Sequence, residues 1–196
     1  MFMDVFIVVV AYLFGSISAA VIVSKLMALP DPRTEGSKNP GATNVLRLGG
    51  KKAAIFTLLG DSIKGVVPVL IARYLELSDP VILLTALFAF IGHLYPVFFG
   101  FKGGKGVATA LGVLLALAWP VGLGAAVTWL ALAFATRISS LSALTAAVLT
   151  PIYMWWATSS ELYVGLNIVL STLLIWRHRS NVRKILDGTE GRIGAP

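Results

Sequence analysis

Long uncharged apolar runs alternate with short polar segments along the chain. A membrane-crossing helix needs about 20 mostly apolar residues, within a range of about 17–25. Residues 2–24, 53–75, 81–99 and 138–157 fit that length, and residues 162–176 form a shorter run. Residues 107–136 are thirty positions without a charge, interrupted by Trp119-Pro120. One straight helix of that length would extend about 45 Å, against a hydrocarbon core of about 30 Å. The run therefore predicts either one strongly tilted helix or two short ones, over residues 107–118 and 121–136. A short hairpin that stops before the far face keeps the parity of two full crossings.

Charge separates these alternatives. With the amino terminus outside and seven spans, 14 of the 16 Lys and Arg residues fall on the inner face, leaving only Lys64 within a helix and Arg73 outside. That is the bias cytoplasmic loops carry. A single crossing over residues 107–136 would move Arg137 and the basic tail, residues 177–196, to the opposite face. The expected fold is thus an all-α integral membrane protein of about seven transmembrane helices, with cytoplasmic Gly-rich motif loops and a cytoplasmic tail. Residues 1–196 read as a single polytopic membrane domain without internal repeats.

Composition agrees. The 196 residues are 57% hydrophobic and 13% charged, whereas soluble domains average about 45–50% and about 25%. The first run lacks a basic flank and a cleavage pattern, so it reads as a retained span and not a signal peptide. With no cysteine, disulfides and thiolate chemistry are excluded.

Three polar segments carry candidate chemistry. Between Asp31 and Arg47 the chain places Gly36, Gly41 and Gly49-Gly50, whose backbone freedom lets successive N–H groups converge on an anion. Ser37, Asn39, Thr43 and Asn44 add side-chain donors, and Arg47 offers a planar fork suited to phosphate. The second segment runs from Gly92-His93 to Thr109 and contains Gly103-Gly104-Lys105-Gly106 just ahead of an apolar helix. Free amides at a helix start, together with an ammonium group, attract an anion. It is not a nucleotide-binding P-loop, because Phe99 and Gly106 stand where that pattern needs glycine and Ser or Thr. The third segment, Trp176 to Glu190, includes His178 and Asn181, spaced to share a helical face. Within the second span Asp61 and Lys64 are three apart and are expected to pair inside the bundle, because an isolated charge there costs about 2.5–3.5 kcal/mol. Gly15, Ser16, Ser18 and Ala19 read as close-packing residues.

Some lipid chemistries are excluded. His93 and His178 are followed five positions later by Phe98 and Arg183, not by the aspartate that soluble-type glycerolipid acyltransferases place there. No aspartate cluster or His/carboxylate set points to a metal. A basic, glycine-rich, metal-free pocket beside lipid suits two phosphorylated molecules, one of them carrying an acyl tail.

The segments Gly36-Ser37-x-Asn39-Pro40-Gly41-Ala42-Thr43-Asn44, Gly92-His93…Pro96…Gly103-Gly104-Lys105-Gly106-Val-Ala-Thr and His178-Arg-x-Asn181 resemble the acyl-phosphate-dependent glycerol-3-phosphate acyltransferases (the PlsY family) of bacteria. The resemblance runs in order through essentially the whole chain, including Gly15-Ser16. Lys38 stands where the family usually has glycine, and Ser180 replaces an acidic residue. The resemblance implies transfer of a fatty acyl group from acyl phosphate to sn-glycerol 3-phosphate, yielding lysophosphatidic acid and phosphate as the first acylation of phospholipid synthesis. By carry-over, Lys105 and Arg47 bind phosphate and steady developing charge. His178 and Asn181 orient glycerol phosphate, and Ser140 supplies a serine contact, with Ser139 and Ser142 as neighbouring candidates. Ser37, Asn39, Gly41, Thr43, Asn44, His93, Gly103, Gly104 and Gly106 are expected to bind substrate. No cofactor, nucleic acid or obligate protein partner is expected, and the location implied is the bacterial cytoplasmic (inner) membrane. The competing class is a transporter of a phosphorylated solute. It would place basic groups near the midplane, whereas these motifs cluster at one face.

Overall fold

The computed structural model describes residues 1–194, and among them the chain forms nine α-helices, one short 3-10 turn and no strand. The helices fall into two compact units, Met1–Leu117 and Ala118–Pro196.

The first unit opens with α1 (Phe2–Gly15) and α2 (Ala19–Leu26). The single helix expected over residues 2–24 is instead broken at residues 16–18 and bent by 41°. A break inside an apolar span must find partners for the backbone groups it frees, and three are present. Ser16 Oγ donates to the Tyr12 carbonyl at 2.8 Å, Ser18 Oγ accepts from the Val21 amide at 3.4 Å, and Lys64 Nζ donates to the Ile17 carbonyl at 2.6 Å.

Helix α3 (Ala42–Tyr74) begins well inside the segment expected to be a polar loop up to residue 52, and Gly50, at φ 76° and ψ −173°, kinks it. The piece before the kink carries the first motif, and the piece after it is the expected apolar span. Helix α4 (Asp79–Leu94) ends where Pro96 disfavours a helical Tyr95. A 3-10 turn, Val97–Phe99, leads into the Gly-rich loop. Helix α5 (Val107–Leu117) has 11 residues, about 16 Å. Its last carbonyls, Ala116 and Leu117, accept from Arg73 of α3 at 2.6 and 3.0 Å. A cation at a helix C-terminus is favourable, so Arg73, expected only as an outer-face charge, terminates α5. Helix α1 packs on α4 and α3 on α5. The expected close-packing glycine Gly15 lies so near α4 that an added Cβ would meet the Ala89 backbone.

The second unit holds α6 (Trp119–Thr136), α7 (Ser139–Thr158), α8 (Glu161–Arg177) and α9 (Arg179–Leu186). The uncharged run 107–136 is therefore two helices. They part at Ala118, whose extended backbone precedes a helix start containing Pro120. Helices α6 and α8 pack on α7, and small polar groups bond across the seams. Ser171 Oγ donates to the Ala147 carbonyl at 2.7 Å, and the Thr128 and Tyr153 hydroxyls meet at 3.0 Å. Helix α9 occupies part of the segment expected to be a tail.

Four helical segments are long and apolar enough to cross a membrane, Ala42–Tyr74, Asp79–Phe99, Trp119–Thr136 and Ser139–Thr158, and the bent pair α1–α2 makes a fifth. A count of seven also requires α5 and the 17-residue α8.

Candidate active site

In the first unit the loop between α2 and α3 is organised by one buried side chain. Asn44, in the first turn of α3, donates through Nδ2 to the Pro32 carbonyl at 2.9 Å and the Glu35 carbonyl at 3.0 Å, and its Oδ1 accepts from the Ser37 amide at 2.8 Å. The expected donor Asn44 thus spends its amide on the loop itself. Gly36, at φ 62°, passes so close that a Cβ would strike Asn44 Oδ1. This position needs glycine for both its backbone angle and its clearance. Lys38 adopts φ 55°, the left-handed conformation a glycine would take, so the turn survives the substitution. Asp31 and Arg33 close the loop base through a 2.6 Å ion pair, and Arg33 lies over the Phe99 ring at 5.6 Å. The guanidinium hydrogen bonds hold the Asp31 carboxyl below its ordinary range, and they hold Arg33 above its own. The contribution of this pair is present above the unfolded Asp value of about 3.9 and disappears as pH falls through the lower folded value. Ser37 and Arg47 are exposed, whereas Asn39, Gly41 and Thr43 are half-buried around the α3 N-terminus.

The second motif folds onto the end of α4. The Gly104 amide donates to the His93 carbonyl at 3.2 Å, which caps α4. A Cβ on Gly103 would strike the His93 and Leu94 carbonyls, and one on Gly104 would strike His93 Nε2 and lie 2.9 Å from the Pro40 carbonyl. Two glycines are therefore required because backbone lies directly on backbone. The same contact brings the first and second motifs together. Gly106, at φ 89°, then admits the chain into α5 beside Phe90, with Lys105 half-buried just before it.

In the second unit His178 joins α8 to α9 and is buried. Its Nδ1 lies 2.8 Å from the Leu174 carbonyl. A carbonyl only accepts, so Nδ1 carries a proton, and in the neutral ring Nε2 is an acceptor. One turn on, Asn181 Nδ2 donates to Glu190 Oε1 at 2.6 Å, and Ser140 Oγ donates to the same oxygen at 2.6 Å. Ser142 instead bonds back to the Ile138 carbonyl at 3.0 Å. Among these two serines it is Ser140, the expected one, that meets the third motif.

Glu190 was not singled out as a site residue. The signal was Gly188, which at φ 69° ends α9. Thr189 N–H donates to the Lys184 carbonyl at 2.8 Å and Gly188 N–H to that of Ile185 at 3.2 Å, the paired bonds of a Schellman cap. The cap turns the chain back, and the Ile193 amide pins it to the Arg137 carbonyl at 2.7 Å. Among the described residues no group of three or more His, Asp or Glu side chains is arranged to hold a metal ion.

Known proteins resemble this chain over nearly its whole length. A family model described as glycerol-3-phosphate acyltransferase matches residues 5–188. The glycerol-3-phosphate acyltransferase of Methylococcus capsulatus is 62% identical over 186 residues, covering 94% of this chain and 93% of its own. That of Thioalkalivibrio sulfidiphilus is 59% identical over 184 residues, covering 94% and 91%. The crystal structure of PlsY, an integral membrane glycerol 3-phosphate acyltransferase, in its glycerol 3-phosphate form matches with a TM-score of 0.93 at 41% identity, over 98% of this chain and 96% of that one. The lysophosphatidic acid form matches at 0.91 and 40% over the same shares. Three motifs in order, a helical membrane fold and close likeness along nearly the whole length have one source: the chain belongs to the glycerol-3-phosphate acyltransferase family.

Proposed function

We propose that this protein transfers a fatty acyl group from acyl phosphate to the 1-hydroxyl of sn-glycerol 3-phosphate. The observation that carries this reading is the end-to-end likeness to a fold crystallised in both a glycerol 3-phosphate form and a lysophosphatidic acid form. Those ligands are an acyl acceptor and its acylated product. The hydroxyl oxygen attacks the acyl carbon, a new ester C–O bond forms, and the bond between acyl carbon and phosphate oxygen breaks to release phosphate. Acyl phosphate is a mixed anhydride, so no covalent enzyme intermediate is needed. The protein's contribution is positioning and charge stabilisation, and proximity alone supplies about 7–11 kcal/mol in favourable cases.

In this reading Lys105 and Arg47 hold phosphate oxygens, and the side chains of Ser37, Asn39 and Thr43 complete the anion cradle on loops that the glycines shape. His178, Asn181 and Ser140 orient the acceptor. The test is to offer purified protein glycerol 3-phosphate with acyl phosphate, acyl-CoA or acyl carrier protein in parallel. Product is expected from acyl phosphate alone. Comparable turnover with either thioester refutes the donor assignment. Uptake of labelled glycerol 3-phosphate into sealed vesicles without a donor would instead support transport.

The proton leaving the hydroxyl is assigned to the substrate's own phosphate, whose second pKa, about 6 by analogy with phosphorylated side chains, makes the dianion a competent acceptor. His178, tied to the Leu174 carbonyl through Nδ1, then serves as an orienter. His178→Gln keeps hydrogen bonding but cannot carry a proton, so it should retain measurable kcat and lose mainly apparent affinity for glycerol 3-phosphate. General-base catalysis contributes about 10²–10⁴-fold. A thousandfold fall in kcat at saturating substrate, with loss of the basic limb of the pH profile, would make His178 the base.

We place the protein in the bacterial inner membrane with seven helical crossings, the amino terminus outside and the motif loops and carboxyl terminus cytoplasmic. Because the chain has no cysteine, single cysteines report sidedness without background. Thr34, Lys102 and Thr189, all exposed, should label from the cytoplasm when replaced by cysteine, and Ser78 and Glu161 from the opposite face. Labelling of positions 34 and 189 from opposite faces overturns the topology.

A further inference from the structure

Directly beside the second motif loop lies a buried charged cluster of Asp61, Lys64 and His93, to which the proposed reaction assigns no chemical step. Asp61 Oδ1 is 2.8 Å from Lys64 Nζ and 3.6 Å from His93 Nδ1, with side-chain exposures of 3%, 5% and 6%. One oxygen, Asp61 Oδ1, thus faces both nitrogens. Lys64 also reaches the broken α1–α2 helix through the Ile17 carbonyl. Ionised groups in the apolar interior are costly, and a well-packed hydrophobic trio is often as stable. Bracing the α1–α2 bend accounts for Lys64, but not for the imidazole of His93 against Asp61.

The imidazole orientation supplies a reason for that contact. One ring nitrogen of His93, Nδ1, faces Asp61. The other, Nε2, together with Cε1 fills the place where a Gly104 side chain would stand, while the His93 carbonyl accepts from the Gly104 amide. A carboxylate facing Nδ1 favours a proton on that nitrogen and with it this ring orientation. The loop therefore rests on His93 through both its backbone and its ring, and the ring rests on Asp61.

We propose that Asp61, acting through the His93 ring, is a positioning residue that sets the Gly103–Gly106 loop at the height from which Lys105 meets phosphate. The proposal rests on the acyltransferase reading for its kinetic consequence, but its structural consequence stands alone.

Asp61→Asn by itself leaves the Lys64 ammonium buried without a counter-charge and risks unfolding, so the informative variants are Asp61→Asn/Lys64→Met, which removes both charges, and His93→Gln, which keeps the ion pair. Each is measured with native Lys105 and with Lys105→Ala. With native Lys105, kcat for glycerol 3-phosphate acylation should fall at least tenfold. With Lys105→Ala the further fall should be under twofold, because groups acting through one element are not additive. A spin label at Lys102→Cys, exposed beside the loop, reads mobility without turnover and should report a looser loop in both variants. Equal fall factors in the two backgrounds, or unchanged label mobility, overturn the proposal. A native protein inactive with acyl phosphate refutes the reaction reading instead, and the label still decides the positioning role.

Discussion

Lys105→Ala is expected to lose about ten- to 150-fold in kcat/KM while the protein still inserts and folds. A hydrogen bond from a charged group to its partner contributes about 1.5–3 kcal/mol, and each 1.36 kcal/mol of barrier is tenfold in rate. Lys105 precedes α5 by two residues, in a loop whose glycines already rest against α4, so removing its ammonium leaves the loop backbone where it was. Lys105→Arg should recover only part of the loss, since a planar fork does not reproduce a point charge at the end of a flexible stem. Arg47→Ala should behave alike, for the same reason on the other motif. The check is steady-state kinetics on purified enzyme, with thermal unfolding in detergent showing an unchanged midpoint. A near-normal rate in Lys105→Ala removes the second motif from phosphate handling.

Gly92→Leu should abolish folded protein altogether. A Cβ at this position would strike the Tyr12 carbonyl and come 2.8 Å from the Ser16 amide nitrogen and 2.9 Å from the Gly15 carbonyl carbon. All three are backbone atoms of, or at the end of, α1, so no rotamer change relieves the contact, and α1 must move off α4. Overpacking a core with extra methylenes alone costs about 1–3 kcal/mol, and displacing a helix costs more. The total stability of a domain is about 5–15 kcal/mol. Gly165→Ala is the paired control, because a Cβ at Gly165 of α8 meets no atom within 4 Å. It should be tolerated and should gain up to about 1 kcal/mol from helix propensity. Melting curves of the two variants in one detergent decide the matter, and a normal midpoint for Gly92→Leu would refute the close α1–α4 approach.

The apolar runs and the three motifs were legible because both are local signals. Uncharged stretches of membrane length can only be buried in lipid or protein, and a helix satisfies its own backbone within the stretch. The break of residues 107–136 into two helices followed from length and Pro120, with the charge of the flanking segments deciding between one helix and two. The intramembrane pairing of Asp61 and Lys64 was equally legible, because two charges one helical turn apart in an apolar run have little choice but each other.

Other features depended on partners far along the chain. The bend at residues 16–18 is stabilised by Lys64, 47 positions away from the carbonyl it reaches, and nothing near Ile17 announces that cation. Asn44 looks like a donor for substrate in sequence, but three loop backbone groups occupy its amide once α3 starts at Ala42. Arg73 looks like an outer-face charge until α5 brings its carbonyl end within reach. Glu190 meets Ser140 across 50 residues, and only the turn at Gly188 makes that return possible. By itself, then, the sequence determined which segments are apolar helices, which three polar motifs the chain carries and to which family it is akin, since hydrophobicity and motif spacing act over a few residues. Tertiary structure alone decided which polar side chains shape the loops and which distant groups they meet, because a buried hydrogen-bonding group takes whichever partner the packing of distant helices delivers.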